Sequence, residues 1–203
     1  MMKVDKGSNT VRIGVTGGMG SGKSVVCDLL RLHGIPVFDA DKEAKQLNDT
    51  SVEVREALTR HFGESLYEEG KLNRQRFAEL IFNDKQNLTI ANGVIHPELA
   101  KRFNDWCATQ SRFTHVAIDA PVLFEAGFDA QVDTVVVVYS PKELRVKRVM
   151  ERDRVERKEV EARMRSQLPE KEKLKRADHV ICNEGYHSLI VQVANLLTEL
   201  SFF

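Results

Sequence analysis

Cysteine is scarce in this chain, and the three that occur, Cys27, Cys107 and Cys182, are far apart and odd in number. That spacing excludes a metal knuckle and a closed disulfide framework, so reduced thiols in a cytoplasmic protein are the expectation. Charge of a single sign is missing too. The 30 Lys/Arg offset 30 Asp/Glu, which removes any overall field that would recruit nucleic acid or an anionic membrane. No apolar run approaches the roughly 18 residues that a bilayer span needs. Residues 1–10 are polar and lack the apolar segment of a secretion signal. There is no internal repeat, no low-complexity tract, and no coiled-coil or interface stripe that would speak for an oligomeric state.

What is present is concentrated in residues 17–24, which read Gly-Gly-Met-Gly-Ser-Gly-Lys-Ser. Gly17, four residues, then Gly22, Lys23 and Ser24 fit the phosphate-binding loop pattern. Glycines let the backbone curl until several N–H groups point at one anion. A following helix adds its positive end. Lys23 supplies a cation for the β- and γ-phosphates, and the Ser24 hydroxyl is a hard oxygen ligand for Mg²⁺. The flanks agree, since 11–16 reads as a strand and 25–32 as an apolar-faced helix. The pattern implies binding of a nucleoside triphosphate, with Mg²⁺ as an expected cofactor.

Five short β-like runs occur at 12–16, 36–40, 115–120, 134–139 and 179–182. The fourth holds four consecutive valines, as suits a strand buried on both faces of a parallel sheet. Helical stretches separate the runs, so the expected fold is α/β: a doubly wound, parallel five-stranded sheet. Ligands then gather at the carboxyl ends of the strands. Length allows a single domain, 11–203, after a disordered extension over 1–10. Its core is expected from 11–40, 113–141 and 177–203. Residues 41–112 hold several predicted helices, with breaks near Gly63, Gly70 and His96-Pro97, and form a candidate acceptor-binding subdomain. Residues 142–176 carry 14 Lys/Arg against 8 Asp/Glu, leaving 16 against 22 elsewhere. Such a run is either a solvated helical hairpin or, in a phosphate-handling protein, a mobile lid.

Several side chains sit where chemistry would need them. Asp39 and Asp41 end the second run, and at i and i+2 on a strand they share a face. Near phosphates they would hold Mg²⁺ or take a proton from an acceptor hydroxyl; otherwise they cap the next helix. Asp119 closes an apolar strand as a Walker B aspartate does, placed for Mg²⁺. Arg145, Arg148 and Arg152 form one helical stripe, and Arg163 with Gln167 an i, i+4 pair. These arginines either neutralise charge on a transferred phosphoryl group or pair with Glu151, Asp153 and Glu156 at the surface. His96 reads as a helix cap or turn residue at a break, or as a group near a substrate. Trp106 and most phenylalanines read as core.

Taken in order, these segments resemble the dephospho-CoA kinase family. The matching stretches are 13–24, 34–41 (Gly-Ile-Pro-Val-Phe-Asp-Ala-Asp), 95–97 (Ile-His-Pro), 119–125 (Asp-Ala-Pro-Val-Leu-Phe-Glu), 148–152, 163–167 and 177–183. The resemblance implies transfer of the ATP γ-phosphoryl group to the 3′-hydroxyl of the dephospho-CoA ribose. It also implies a core, a helical CoA-binding subdomain and a lid. On that basis Gly17, Gly18, Met19, Gly20, Ser21, Gly22, Lys23 and Ser24 hold the ATP phosphates. Asp41 is the base, with Asp39 the alternative. Arg148 is a lid contact with a catalytic role, as Lys23 has; Arg152 joins it on the nucleotide, and Arg163 contacts the substrate. His96, Asp119, Pro121, Leu123 and Glu125 lie near the acceptor, and Asn183 and Gly185 near the adenine. Other readings are a kinase for a different acceptor, a nucleotide switch, or a module that binds ATP without chemistry. A guanine-specific Asn-Lys-x-Asp motif is absent, which argues against the switch.

Overall fold

The computed structural model describes residues 10–82 and 84–202. The disorder expected over 1–10 falls outside the described residues, apart from Thr10. In chain order the elements are β1 (Val11–Thr16), α1 (Lys23–Leu32), β2 (Val37–Asp39), α2 (Ala40–Thr50), α3 (Val52–Phe62), β3 (Tyr67–Glu68), β4 (Lys71–Leu72), α4 (Arg74–Phe82) and α5 (Lys85–Thr109). They continue with β5 (His115–Asp119), β6 (Thr134–Tyr139), α6 (Lys142–Asp153), α7 (Arg157–Arg165), α8 (Glu170–Lys175), β7 (His179–Cys182) and α9 (Leu189–Glu199).

The chain divides into two compact units, one of residues 1–38 with 107–203, the other Asp39–Trp106. The first contains the five-stranded parallel sheet that the valine-rich runs predict, in the order β2-β5-β1-β6-β7. β1 is central: Val15 lies opposite Asp119 on one side and Val136 on the other. One face of the sheet packs Ile13, Val15, Ala117, Val136, Val138 and Ile181 against α1 and α9. The alternate residues Val116, Ile118, Val135 and Val137 are buried as well. Burial on both faces explains the valine run, since each such side chain contributes roughly 1.5–3 kcal/mol when removed from water. His115 at the start of β5 is tied to the chain's end through the Leu200 carbonyl, at 3.1 Å.

The second unit is helical apart from the small β3–β4 hairpin. Its helices start on side-chain caps. Asp39 accepts from the Lys42 N–H at 2.9 Å, Ser51 from Val54 at 3.2 Å, and Asn73 from Arg76 at 3.0 Å. Arg102 pairs with Glu43 at 2.6 Å. Its core includes Leu47, Val54, Leu58, Leu66 and Phe103.

Two readings of the sequence are corrected here. The break expected at His96-Pro97 does not exist, because α5 runs through Pro97. Ala91, Ile95, Leu99, Phe103 and Cys107 are buried at strict four-residue spacing, so one apolar stripe continues across the proline and outweighs the hydrogen bond it removes. Asp39 and Asp41 also do not share a strand face. β2 stops at Asp39, whose carboxylate caps α2, and Asp41 lies in that helix's first turn. On a helix, positions two apart point in different directions.

Candidate active site

The loop between β1 and α1 is built from its glycines. Gly22 adopts φ 91°, the left-handed region, and is the N-cap of α1. A Cβ there would also run into the Asn183 side-chain amide, which donates to the Ser21 carbonyl at 2.8 Å. Gly17 is constrained by proximity instead: an added Cβ would lie 2.5 Å from the Val138 carbonyl oxygen and 2.6 Å from Ser21 Oγ. Gly22 has no side chain with which to cap α1, so the first-turn N–H groups, Lys23 and Ser24 gather at one pole of the helix.

β1 and β5 are neighbours, so the groups just past their carboxyl ends meet. Lys23 Nζ is ion-paired and hydrogen-bonded to the Asp119 carboxylate, with side chains 13% and 11% exposed. The Lys23 charge is thus held at the loop by an acid 96 positions away. Ser24 is exposed, whereas the Ser21 hydroxyl is buried and has no hydrogen-bond partner among the described residues. Such an orphan in a glycine-rich loop that leads into a helix N-terminus fits a loop shaped around an anion. Among the described residues no group of three or more His, Cys, Asp or Glu could hold a metal ion. A divalent cation here would need substrate phosphates as ligands beside Ser24 and Asp119, which is how Mg²⁺ is commonly held.

α6 supplies the arginines. Arg145 is buried; its Nε donates to the Ser140 carbonyl at 3.0 Å, and its guanidinium pairs with Glu170 at 3.3 Å. Arg148 donates to the Gly20 carbonyl at 3.4 Å, to Ser140 Oγ at 3.2 Å and to the Asn183 carbonyl at 3.2 Å. It therefore joins the glycine loop to the turn after β7. Arg152 pairs with Asp153 at 2.7 Å, and Arg163 with Glu159 and Asp153 at 2.5 and 3.4 Å. Both arginines are thus engaged in ion pairs at the surface. Gln167 does not partner Arg163; its Oε1 accepts from the Met19 N–H at 3.1 Å.

The loop after β5 is less open than its motif implied. Leu123 is fully buried, with its Cδ1 directly below Gly14, and so packs in the core rather than facing a substrate. The Pro121 carbonyl accepts from Thr16 Oγ1 at 3.3 Å and from Lys173 Nζ at 2.9 Å. Glu125 accepts from the Leu168 N–H at 2.7 Å. In the helical unit, Asp41 is exposed and His96 half-buried. Burial pushes the His96 imidazole below its ordinary pKa. Gly185, just past β7, is exposed at φ 94°.

Sequence reasoning missed Ser140, Glu170 and Lys173. Glu170 and Lys173 lie in a polar segment that gives no sign of burial, and Ser140 is a single hydroxyl just past a strand end, so pattern alone could not have found them.

The family model for dephospho-CoA kinase matches residues 11–188. A dephospho-CoA kinase of Porphyromonas gingivalis is 43% identical over 188 residues, 92% of this chain and 93% of that protein. One from Bacteroides fragilis is 38% identical, covering 94% and 93%. Among solved structures, a Thermus thermophilus protein superposes with a TM-score of 0.82 at 38% identity, over 94% of this chain and 98% of that one. Campylobacter jejuni dephospho-CoA kinase gives 0.68 at 27%, over 94% and 97%. Shikimate kinase from Acinetobacter baumannii, at 19% identity and a TM-score of 0.52 over 95% and 94%, shares the fold. With a glycine loop joining the central strand β1 to α1, a lysine and an acid at its mouth, and this likeness over nearly the whole length, the chain belongs to the dephospho-CoA kinase family.

Proposed function

We propose that this chain uses ATP to phosphorylate the 3′-hydroxyl of the dephospho-CoA ribose, giving coenzyme A and ADP, the final step of CoA biosynthesis. The observation that carries this reading is the Lys23–Asp119 pair at the mouth of the glycine loop, within a chain whose family acts on dephospho-CoA.

The roles follow from the chemistry of each group. Phosphoryl transfer needs positioning and charge stabilisation more than covalent help. Backbone N–H groups of residues 17–24 cradle the β- and γ-phosphates, apart from those of Met19 and Ser21, which bond Gln167 and the Gly18 carbonyl. Lys23 moves from Asp119 to the incoming phosphates, a short shift between two anionic partners. Ser24 and the released Asp119 would hold Mg²⁺, which when bound would neutralise phosphate charge. Arg148, already hydrogen-bonded to Gly20 and Asn183, closes the triphosphate side. Arg152 and Arg163 join it only by leaving their ion pairs. Asn183 and Gly185 border the adenine. Asp41 takes the acceptor proton, while Asp39, committed to capping α2, holds that helix start in place. His96 and the 119–125 loop serve the acceptor.

Residues 41–112 form the acceptor-binding part and 142–176 the lid in this reading. The cytoplasm is the proposed compartment, supported by the three free thiols. No described helix is long and apolar enough to cross a membrane.

The test is ADP release from Mg-ATP with and without dephospho-CoA, with the product identified by mass. Release that depends on dephospho-CoA, with a product one phosphate heavier, is the expected result. ATP binding without that product would overturn the acceptor assignment.

A further inference from the structure

Lys173 is the least expected residue in the molecule. It lies in a strongly basic stretch, yet its side chain is wholly buried. A buried ammonium persists only when its charge and donors are matched. Here Nζ donates to the Pro121 carbonyl at 2.9 Å and lies 3.5 Å from Glu125 Oε1. Glu125 in turn accepts from the Leu168 N–H at 2.7 Å. Three positions beyond Lys173, Arg176 pairs with Asp129 and lies 4.2 Å from the Phe124 ring centroid. The segment 168–176 is therefore fastened to the loop after β5 along its whole length.

Its other end holds the triphosphate loop. Gln167 Oε1 accepts from the Met19 N–H at 3.1 Å, and Glu170, paired with Arg145, lies directly against Gly18. One stretch of about ten residues thus grips two loops, the one at Gly18 and Met19 and the one at 121–129. At their roots the two loops meet directly, where Thr16 Oγ1 donates to the Pro121 carbonyl at 3.3 Å. Farther out, at Gly18 and Met19 on one side and Glu125 and Asp129 on the other, the strap is what lies between them.

We infer that residues 167–176 are a strap that sets the glycine loop and the 121–129 loop in register, with Gln167, Glu125 and Lys173 as positioning residues. The inference rests on the phosphotransfer reading only for what the two loops serve. Removing one fastening lets the segment shift against both loops, within the limits that Glu170 at Gly18 and Lys173 and Arg176 at 121–129 still set. The polar segment 142–176 is accordingly of two kinds. Its last ten residues are anchored to the sheet unit, and any lid movement belongs to the part before Gln167.

The test uses full-length Gln167→Ala, Glu125→Gln and the double variant, all checked for a single cooperative melt. Gln167→Ala is expected to raise KM for dephospho-CoA about 3- to 10-fold as well as KM for ATP, although the side-chain hydrogen bond it removes is to the glycine loop. Glu125→Gln should raise both in the same way, and the double variant should be no worse than the worse single one. Amide hydrogen exchange gives a readout free of the acceptor: residues 121–129 should exchange about 10-fold faster in Gln167→Ala. Effects confined to ATP in one variant and to the acceptor in the other, multiplying in the double, would overturn the strap, as would unchanged exchange at 121–129. A wild-type protein that phosphorylates nothing would instead sink the phosphotransfer reading, and the exchange experiment would still decide the strap.

Discussion

In the sheet unit, the contacts around the glycine loop join residues remote in sequence: Lys23 with Asp119, 96 positions apart, Arg148 with Gly20, 128 apart, and Asn183 with Ser21, 162 apart. In the helical unit, Asp39, Ser51 and Asn73 each bond three residues on, and the Arg102–Glu43 pair spans 59 positions. Parallel strands bring distant segments side by side, whereas helices satisfy themselves locally. A site assembled from strand ends exists only when the whole sheet does. Substitutions there should disturb chemistry and stability together, while those in the helical unit should act singly.

The sharpest way to break this comparison is Lys23→Ala. It removes the cation at the loop, and turnover should fall by about 10³-fold, the scale of losing one preorganised charge partner in a transition state. Steady-state kinetics with saturating ATP and dephospho-CoA would show it. Asp41→Asn, in the helical unit, should cost less, about 10- to 100-fold in kcat, because the hydroxyl proton leaves late in a loose transition state. Comparable near-total losses in both, with folding intact, would reverse the ranking.

Two stability measurements sharpen the same contrast. Gly22→Ala places a Cβ at a left-handed φ and against Asn183. The backbone alone costs roughly 1–2 kcal/mol, so Tm should fall by at least about 2 °C, and ATP affinity should fall with it. Asp39→Ala removes only the α2 cap. A loss of about 1 kcal/mol is expected, read as a Tm shift of about 2–4 °C with KM for ATP unchanged. A Gly22→Ala protein that melts like the wild type would sink the claim that loop geometry and stability are joined.

The smallest effect is a pH dependence. Burial holds His96 below its ordinary value of 6.5, so on acidification the unfolded chain binds the proton first. The stability contributed by the neutral imidazole is complete above that value and is lost as pH falls toward the lower folded one. Urea melts of the wild type between pH 5 and 7.5 should slope accordingly, and His96→Gln should flatten the slope. An unchanged slope in the variant would show that other groups carry it.

How much of this was legible depends on the kind of signal. Gly17, Gly22, Lys23 and Ser24 announce themselves because a backbone wrapped around phosphate tolerates few alternatives. Val135 to Val138 reveal a strand buried on both faces, since no exposed element could carry them. Asp119 was readable as an acid at a strand end, though not as the partner of Lys23. His96-Pro97 misled because a proline signals a break only until a buried stripe holds the helix together. Asp39 and Asp41 misled because a three-residue strand gives way to a helix inside the motif.

By itself, then, the sequence determined the parallel sheet, the phosphate loop and the family, because those rest on local backbone requirements and on hydrophobic periodicity. Only the tertiary structure decided that Lys173 is buried, that Gln167 holds Met19, and that Arg148 rather than Arg152 lies at the loop. A charged side chain looks the same in a sequence wherever it ends. Its environment is set by what strand order and chain crossing bring against it, often more than a hundred residues away.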